Sequence, residues 1–496
     1  MSYTPSPAFS RSFSQSFSPA FSLAFKGRPV RGSASLLAVV LLGGLSLGSG
    51  CGSKSAGAAC AGIGPEADKL CVETEVCEPV QGAESKCFPP VLIQGNVFDL
   101  TSAATVADAR IIAIDPSGAA ASSVAISAAD GTYSLRIPST RSPDGSVIAK
   151  DYTLRADASG YQSFPGGIRP ALPIKVSGIP TDKGLVITSS LTSIGLAALP
   201  TAPRGAIAGS VDGPIRDGIL ISGGGSTAIS DLTGTFVLFN VTPGAVTVRG
   251  YASGVQLNPA NTTVAADVRT EGVILSPSAT PLGTVSGSIQ FPNPGSCGTT
   301  SVLLVLDETF NTTLERGEVP RGLRAANVGG PYTISNVPDG NYKVLAAFEN
   351  DSCVRDPSAI GGTAIPSIVV PAAGGVRAVP VVSFKVTGAL NVRSPGKDQP
   401  DPVQSATPSF TWEDDSSENH YELRVFDSLG AMIYSKLDVP AVSGSADVTA
   451  LYPAPPAAPA LVPGAYYQFR ATSISNGGSP ISRTEDLRGV FYLPKP

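Results

Sequence analysis

The stretch Gly329-Gly330-Pro331-Tyr332-Thr333-Ile334-Ser335-Asn336-Val337-Pro338-Asp339-Gly340-Asn341-Tyr342-Lys343-Val344-Leu345-Ala346 holds two alternating apolar/polar runs on either side of a Pro-Asp-Gly turn. Alternation with period two buries one face of each run, so the stretch reads as a half-buried β-hairpin. Weaker copies occur at Thr233-Gly234-Thr235-Phe236-Val237-Leu238 leading to Pro243-Gly244-Ala245-Val246-Thr247-Val248, and at Asp130-Gly131-Thr132-Tyr133-Ser134-Leu135. Each follows a run with a central glycine: Ile93-Gln94-Gly95-Asn96-Val97, Ile207-Ala208-Gly209-Ser210-Val211 and Val285-Ser286-Gly287-Ser288-Ile289. Three copies make a repeat. The expected fold class is therefore all-β, a tandem array of Greek-key β-sandwiches.

Composition agrees. The chain has 496 residues, 54 of them glycine and 44 proline, and only 15% are charged, which favours short strands joined by turns over long helices. A chain of this length holds about three or four domains. The formal net charge is −5, and the first fifty residues contribute Arg11, Lys26, Arg28 and Arg31 with no acid, so the remainder carries −9. Phosphate backbones demand clustered Lys and Arg, so nucleic acid is not an expected partner.

Residues 1–50 read as an export segment. A Ser/Phe-rich start is followed by Lys26, Arg28 and Arg31, then by the apolar run Leu36 to Leu47, and ends in small residues before Cys51. The order of positive flank, apolar core and small residues is that of a secretory signal, and the run is shorter than the roughly twenty apolar residues of a membrane span. The cysteine after the small residues resembles a bacterial lipoprotein signal, which implies acylation of Cys51 and cleavage just before it. Gly48 stands where that family prefers leucine, and Leu47 lies one residue further back. The competing reading is an ordinary signal peptide cut nearby. Parity favours the lipid: of seven cysteines, Cys51 on a thioether leaves six for disulfides.

Cys60, Cys71, Cys77 and Cys87 fall in a short polar segment, 51–90, too small to bury a core, so two disulfides are expected. Four cysteines allow three pairings and the sequence leaves all three open. A metal site is the alternative, but there is no C-x-x-C pair and no nearby histidine. The segment reads as a lipid-linked stalk. Cys297 and Cys353 flank a pair of expected strands further on, and a bridge between them requires an oxidising compartment.

Strand runs and Pro/Gly linkers place sandwiches at 91–200, 204–278 and 283–385, with a change of pattern over 386–496. The order of a G-x-[VI] strand, an apolar strand, a [DT]-G-[TY]-[YF] strand and V-P-x-G-x-Y-x-[VL] is similar to the carboxypeptidase regulatory-like domains. Val337-Pro338-Asp339-Gly340-Asn341-Tyr342 carries it best; the second copy has Val246 at that tyrosine, and the first has an insertion around Pro143-Asp144-Gly145. The resemblance implies transthyretin-like seven-stranded sandwiches, and a structural or interaction role without catalytic residues. In the last segment, Pro408-Ser409-Phe410-Thr411-Trp412, His420 to Phe426 and Tyr466 to Ala471 resemble a fibronectin type III-like sandwich, with Trp412 as core aromatic and Tyr421, Leu423 and Val425 on one face.

No constellation carries chemistry, so no catalytic residue, metal or cofactor is expected. The single histidine, His420, would have to anchor any triad from a strand start. Ser226 follows three glycines without a nucleophile elbow, and the glycine run lacks the lysine of a phosphate loop. Asp414-Asp415-Ser416-Ser417-Glu418-Asn419 has oxygen ligands suited to calcium but lacks the EF-hand glycine and spacing, so it reads as a solvated loop. Glu349, Asp351 and Asp356 read the same way. The second copy has no lysine for an internal isopeptide bond. The chain reads as a non-enzymatic lipoprotein of the outer membrane or cell surface, held there by its lipid and structural or adhesive in role. Its partner would be an envelope protein or a glycan. The alternative is a carbohydrate- or peptidoglycan-binding protein, which would need an exposed aromatic platform.

Overall fold

The computed structural model describes residues 57–61, 65–166, 169–293, 297–311, 316–346, 351–355, 365–371, 375–378, 384–444 and 446–495. Residues 1–50, expected to be an export segment, and Cys51, Glu349 and Asp356 lie outside them.

The second copy shows the plan in its simplest form. Its strands are Gly205–Val211, Leu220–Gly223, Ser226–Ile229, Thr235–Val241, Gly244–Tyr251, Ala260–Val264 and Arg269–Leu275. The fourth, first and seventh strands form one sheet, in that order, and the third, second, fifth and sixth form the other. Strand one runs parallel to strand seven and antiparallel to strand four.

The first copy repeats this order with Val91–Asp99, Arg110–Ile114, Ala125–Ile126, Thr132–Ile137, Val147–Asp157 and Ile174–Gly178; its seventh strand is split into Leu185–Ile187 and Ile194–Leu196, both parallel to the first. The third does so with Gly283–Asn293, Thr300–Leu306, Arg324–Val328, Pro331–Val337, Gly340–Ala346 and Ser367–Val370, its seventh strand likewise split into Gly375–Ala378 and Phe384–Gly388.

This topology corrects the hairpin reading. Pro331–Val337 pairs with Gly283–Asn293 in one sheet, whereas Gly340–Ala346 pairs with Thr300–Leu306 in the other. Val337-Pro338-Asp339-Gly340 is thus a corner that carries the chain across the sandwich. Both runs alternate because each lines the same core from opposite sides. Gly340, at φ 159°, and Asn336, at φ 59°, make the bend, and the buried Tyr342 hydroxyl closes it by donating to the Pro338 carbonyl at 3.0 Å. Thr235–Val241 and Gly244–Tyr251 are divided between sheets in the same way.

In the last segment Val392–Ser394, Ser409–Trp412 and Val448–Leu451 form one sheet. Facing it are Asp401–Pro402, Val490–Tyr492, Tyr466–Ile474, His420–Asp427 and Met432–Pro440 in that order, with Pro480–Arg483 also beside Tyr466–Ile474. Trp412, Tyr421, Leu423, Val425 and Phe469 are fully buried between the two sheets.

The cysteine segment closes with Cys60–Cys77 and Cys71–Cys87, and the third copy with Cys297–Cys353. The cysteine segment is docked rather than a free-standing stalk. Its hairpin, Val76–Val80 and Ala83–Phe88, lies against the first sandwich, where Gln81 N–H donates to the Arg141 carbonyl at 2.8 Å and Arg141 N–H to the Pro79 carbonyl at 2.9 Å. Its own core is little more than three buried cysteines and Ala67, too small to stand alone.

Candidate functional site

The residues that sequence reasoning put forward for chemistry do not converge. His420 opens a strand, half-buried, with Nδ1 3.0 Å from the Asn419 amide oxygen. Ser226 opens Ser226–Ile229. Asp415 is held in the loop, its carboxylate accepting from Ser417 N–H and Oγ at 3.2 and 2.7 Å and from Ser473 Oγ at 2.8 Å. Asp414 accepts from the Tyr421 hydroxyl at 2.8 Å, and burial beside these two acids raises the Glu418 carboxyl above its usual range. The sulfurs of Cys60, Cys71 and Cys87 lie within 4.8 Å of one another, but all three are in disulfides. Among the described residues a shallow open groove is lined by Pro395, Asp401, Val403, Gln404, Thr407 and Leu451. Its one acid, Asp401, accepts from Gly396 N–H at 2.7 Å.

What the structure does assemble is a junction between sandwiches. Arg155, on the fifth strand of the first, is buried and reaches both of the others. Its Nε and Nη2 donate to Asp157 at 2.8 and 3.1 Å, its Nη1 pairs with Glu318 of the third copy, and its Nη2 donates to the carbonyl and hydroxyl of Thr227 in the second at 3.1 and 2.9 Å. The Thr227 hydroxyl donates in turn to Glu318 at 2.6 Å. Burial alone would lower the guanidinium pKa. The two carboxylates override it, and the group is held above its ordinary value.

Apolar packing follows the same three-way pattern. Ile112 of the first copy and Leu220, Ile229 and Tyr251 of the second join the core cluster of the third, and Tyr251 meets Tyr342 edge-on at 6.2 Å. Thr300–Leu306 and Leu220–Gly223 are buried at every position, so both faces of their sheets are covered. A signal for this was present. Val302-Leu303-Leu304-Val305-Leu306 is a continuous apolar run, and an antiparallel strand that fails to alternate belongs in a doubly covered sheet.

Successive sandwiches also dock head to tail through a repeated pair of turns. The turn Ala158-Ser159-Gly160 of the first meets Asn240 of the second: Gly160 N–H donates to Asn240 Oδ1 at 2.8 Å, and Asn240 Nδ2 donates to the Ala158 and Tyr161 carbonyls at 3.1 and 2.9 Å. The turn Ala252-Ser253-Gly254 of the second meets Asn336 of the third in the same place, with Gly254 N–H donating to the Asn336 carbonyl at 2.9 Å. Both asparagines sit at φ 59°, a left-handed conformation that asparagine tolerates. The last sandwich packs on the first and third. Arg169 Nη2 donates to the Leu429 carbonyl at 2.6 Å, Phe426 enters the first core, Ser352 N–H donates to Glu485 at 2.6 Å, and Arg316 and Arg470 both pair with Asp486.

No family model matches the chain, and no curated protein is found to be similar to it. Among solved structures it is similar to the Bacillus anthracis TIE protein, at 10% identity and a TM-score of 0.14 over 77% of this chain and 65% of that one. It is also similar to a DUF3823 family protein from Bacteroides ovatus, at 16% identity and TM-score 0.20 over 42% and 99%. The shaft pilin SpaA from Lactobacillus rhamnosus GG is matched at 10% identity and TM-score 0.15 over 38% and 97%. Likenesses this remote say nothing of activity.

Proposed function

We propose that the protein is a non-enzymatic, exported lipoprotein of the cell surface whose work is structural or adhesive. The Arg155 junction carries this reading: the chain invests a buried cation, two carboxylates and a shared apolar core in fixing three sandwiches together, and among the described residues no comparable set of groups gathers around a reactive atom. Three disulfides support an oxidising destination. Cys51, nine residues before the first of them, is the proposed lipid site, with acyl chains contributing about 0.8 kcal/mol per buried CH2. The seven-strand order and the tyrosine-closed corner support carboxypeptidase regulatory-like modules, and the buried Trp412 supports a fibronectin-like final module. Ligands would be met by loops at sandwich ends.

Glycan binding is the weaker reading. Every aromatic side chain whose burial is described is buried or half-buried, and Tyr466 and Tyr492 stack on each other at 4.9 Å rather than presenting a free face. Cell fractionation tests the anchor. Cys51→Ser should move the protein into soluble fractions, and unchanged membrane retention would remove the lipid from the proposal.

A further inference from the structure

We propose that the disulfide segment is a thiol-sensitive clasp: oxidised, it grips the first sandwich through two carboxylate–guanidinium pairs, and reduced, it lets go while the sandwiches stay folded. The clasp is independent of the nature of whatever precedes it.

The two carboxylates are placed by the cystines. Asp68 lies three residues before Cys71 and accepts from the Cys77 N–H at 2.8 Å, while Glu78 follows Cys77 directly. Asp68 pairs with Arg136 through both of its oxygens, and Glu78 pairs with Arg141 and accepts from Ser139 N–H at 3.2 Å. Both arginines belong to the end of the fourth strand and the turn after it. The Arg141 side chain is 0% exposed and that of Glu78 2%. Arg141 Nη2 and Nη1 donate to the Pro89 and Gly145 carbonyls at 2.8 and 3.3 Å, and the Phe88 ring lies 4.9 Å from its guanidinium carbon. Separating this pair means exposing or rehydrating both charges together, which makes the grip stiff as long as the hairpin is ordered. The hairpin's order depends on its cystines, because apart from the cysteines and Ala67 the buried apolar side chains among the described residues of the segment are only Val76 and Val80.

Of the four sulfur-bearing residues only Cys60 is not fully buried, so it is the point of attack. A thiolate of a dithiol reductant attacks Sγ of Cys60 and expels the Cys77 thiolate. The reductant's second thiolate then attacks its own sulfur in that mixed disulfide, releasing the Cys60 thiolate and leaving the reductant as a cyclic disulfide, two electrons transferred. A second equivalent opens Cys71–Cys87. With both open, Asp68 and Glu78 are no longer held opposite their arginines, and residues 65–87 come away from the first sandwich.

The test uses the full chain, oxidised and after graded dithiothreitol, with alkylation mapping of freed thiols and brief trypsin digestion. Lys69 and Lys86 are the exposed cleavage points within the segment. The expected result is alkylation of Cys60 and Cys77 first. Cleavage after Lys69 and Lys86 should then rise about tenfold or more, following the opened population, with hydrogen-exchange protection of 91–200 retained. A Cys297→Ser/Cys353→Ser variant should give the same map, which separates the clasp from the third disulfide. Continued protection of Lys69 and Lys86 with both cystines open, or loss of protection throughout 91–200 in step with them, would overturn the proposal.

Discussion

Gly287 lies directly opposite Tyr332 across two antiparallel strands, so close that a Cβ on the glycine would come within 2.5 Å of the tyrosine oxygen. The same pairing recurs as Gly95 with Tyr133 and Gly209 with Phe236. The ring lies across the bare backbone and covers it, which explains why a glycine in mid-strand and an aromatic two residues after a turn glycine (Gly131, Gly234, Gly330) repeat together. In the first two copies the imagined Cβ also strikes a carbonyl oxygen, of Thr192 at 1.8 Å and of Val273 at 2.1 Å.

Alanine at these glycines should therefore destabilise by overpacking. Gly287→Ala is expected to cost about 1–3 kcal/mol, and Gly95→Ala more, because a backbone oxygen yields less readily than a ring. Urea midpoints measure this, with Ser286→Ala as a neighbouring control expected to stay within about 0.5 kcal/mol.

Replacing Arg155 by methionine keeps the apolar stem of the side chain and takes from Asp157 its hydrogen-bonded guanidinium, leaving only Arg110 on the neighbouring strand. Removing one partner of a buried pair costs about 3–5 kcal/mol, and Glu318, which is about a third exposed, shares the loss only in part. A lowered thermal midpoint is expected, together with a larger radius of gyration by solution scattering as the three sandwiches separate. An unchanged radius would show that the apolar contacts alone hold them.

Glu485 gives a pH dependence whose sign can be worked out. Burial pushes its carboxyl up to about 7 from an ordinary 4.5, against the opposing pull of Ser352 N–H and Arg488. The folded form therefore holds a proton that the unfolded chain has released. The contribution of this group to stability is complete below about pH 4.5 and is lost as pH rises through 7. Glu485→Gln should flatten the fall in stability across that window, read as thermal midpoint against pH.

Cys297 and Cys353 close a loop with a sequence separation of 56. On the loop-entropy account their bond contributes about 4 kcal/mol, so Cys297→Ser/Cys353→Ser should lower the unfolding free energy of the third sandwich by that order. Calorimetry of the variant checks it.

The alternation in Tyr332 to Ile334 and Tyr342 to Val344 made the strands legible, and the central glycines marked where repeats begin. Pairing was not legible, because two runs that line one core from opposite sides carry the same period as two runs side by side. Ile174–Gly178 is hard to see in the sequence for a different reason. It is a short edge strand, paired only with Val147–Asp157, with Lys175 and Ser177 facing outward. The junction was hardest to see. Arg155 meets Thr227 and Glu318, 72 and 163 residues further along, and a lone arginine in an alternating strand looks like any surface charge.

The docking of Ala158-Ser159-Gly160 onto Asn240, and of Ala252-Ser253-Gly254 onto Asn336, bears on how such a chain can change its copy number. A head-to-tail joint of this kind would let a duplicated module slot into the row. Arg155 forbids it, since it must find Thr227 one module away and Glu318 two away. Insertion or excision of a single repeat would leave that cation facing the wrong neighbours, so this gene is expected to grow or shrink at its ends and not in its middle.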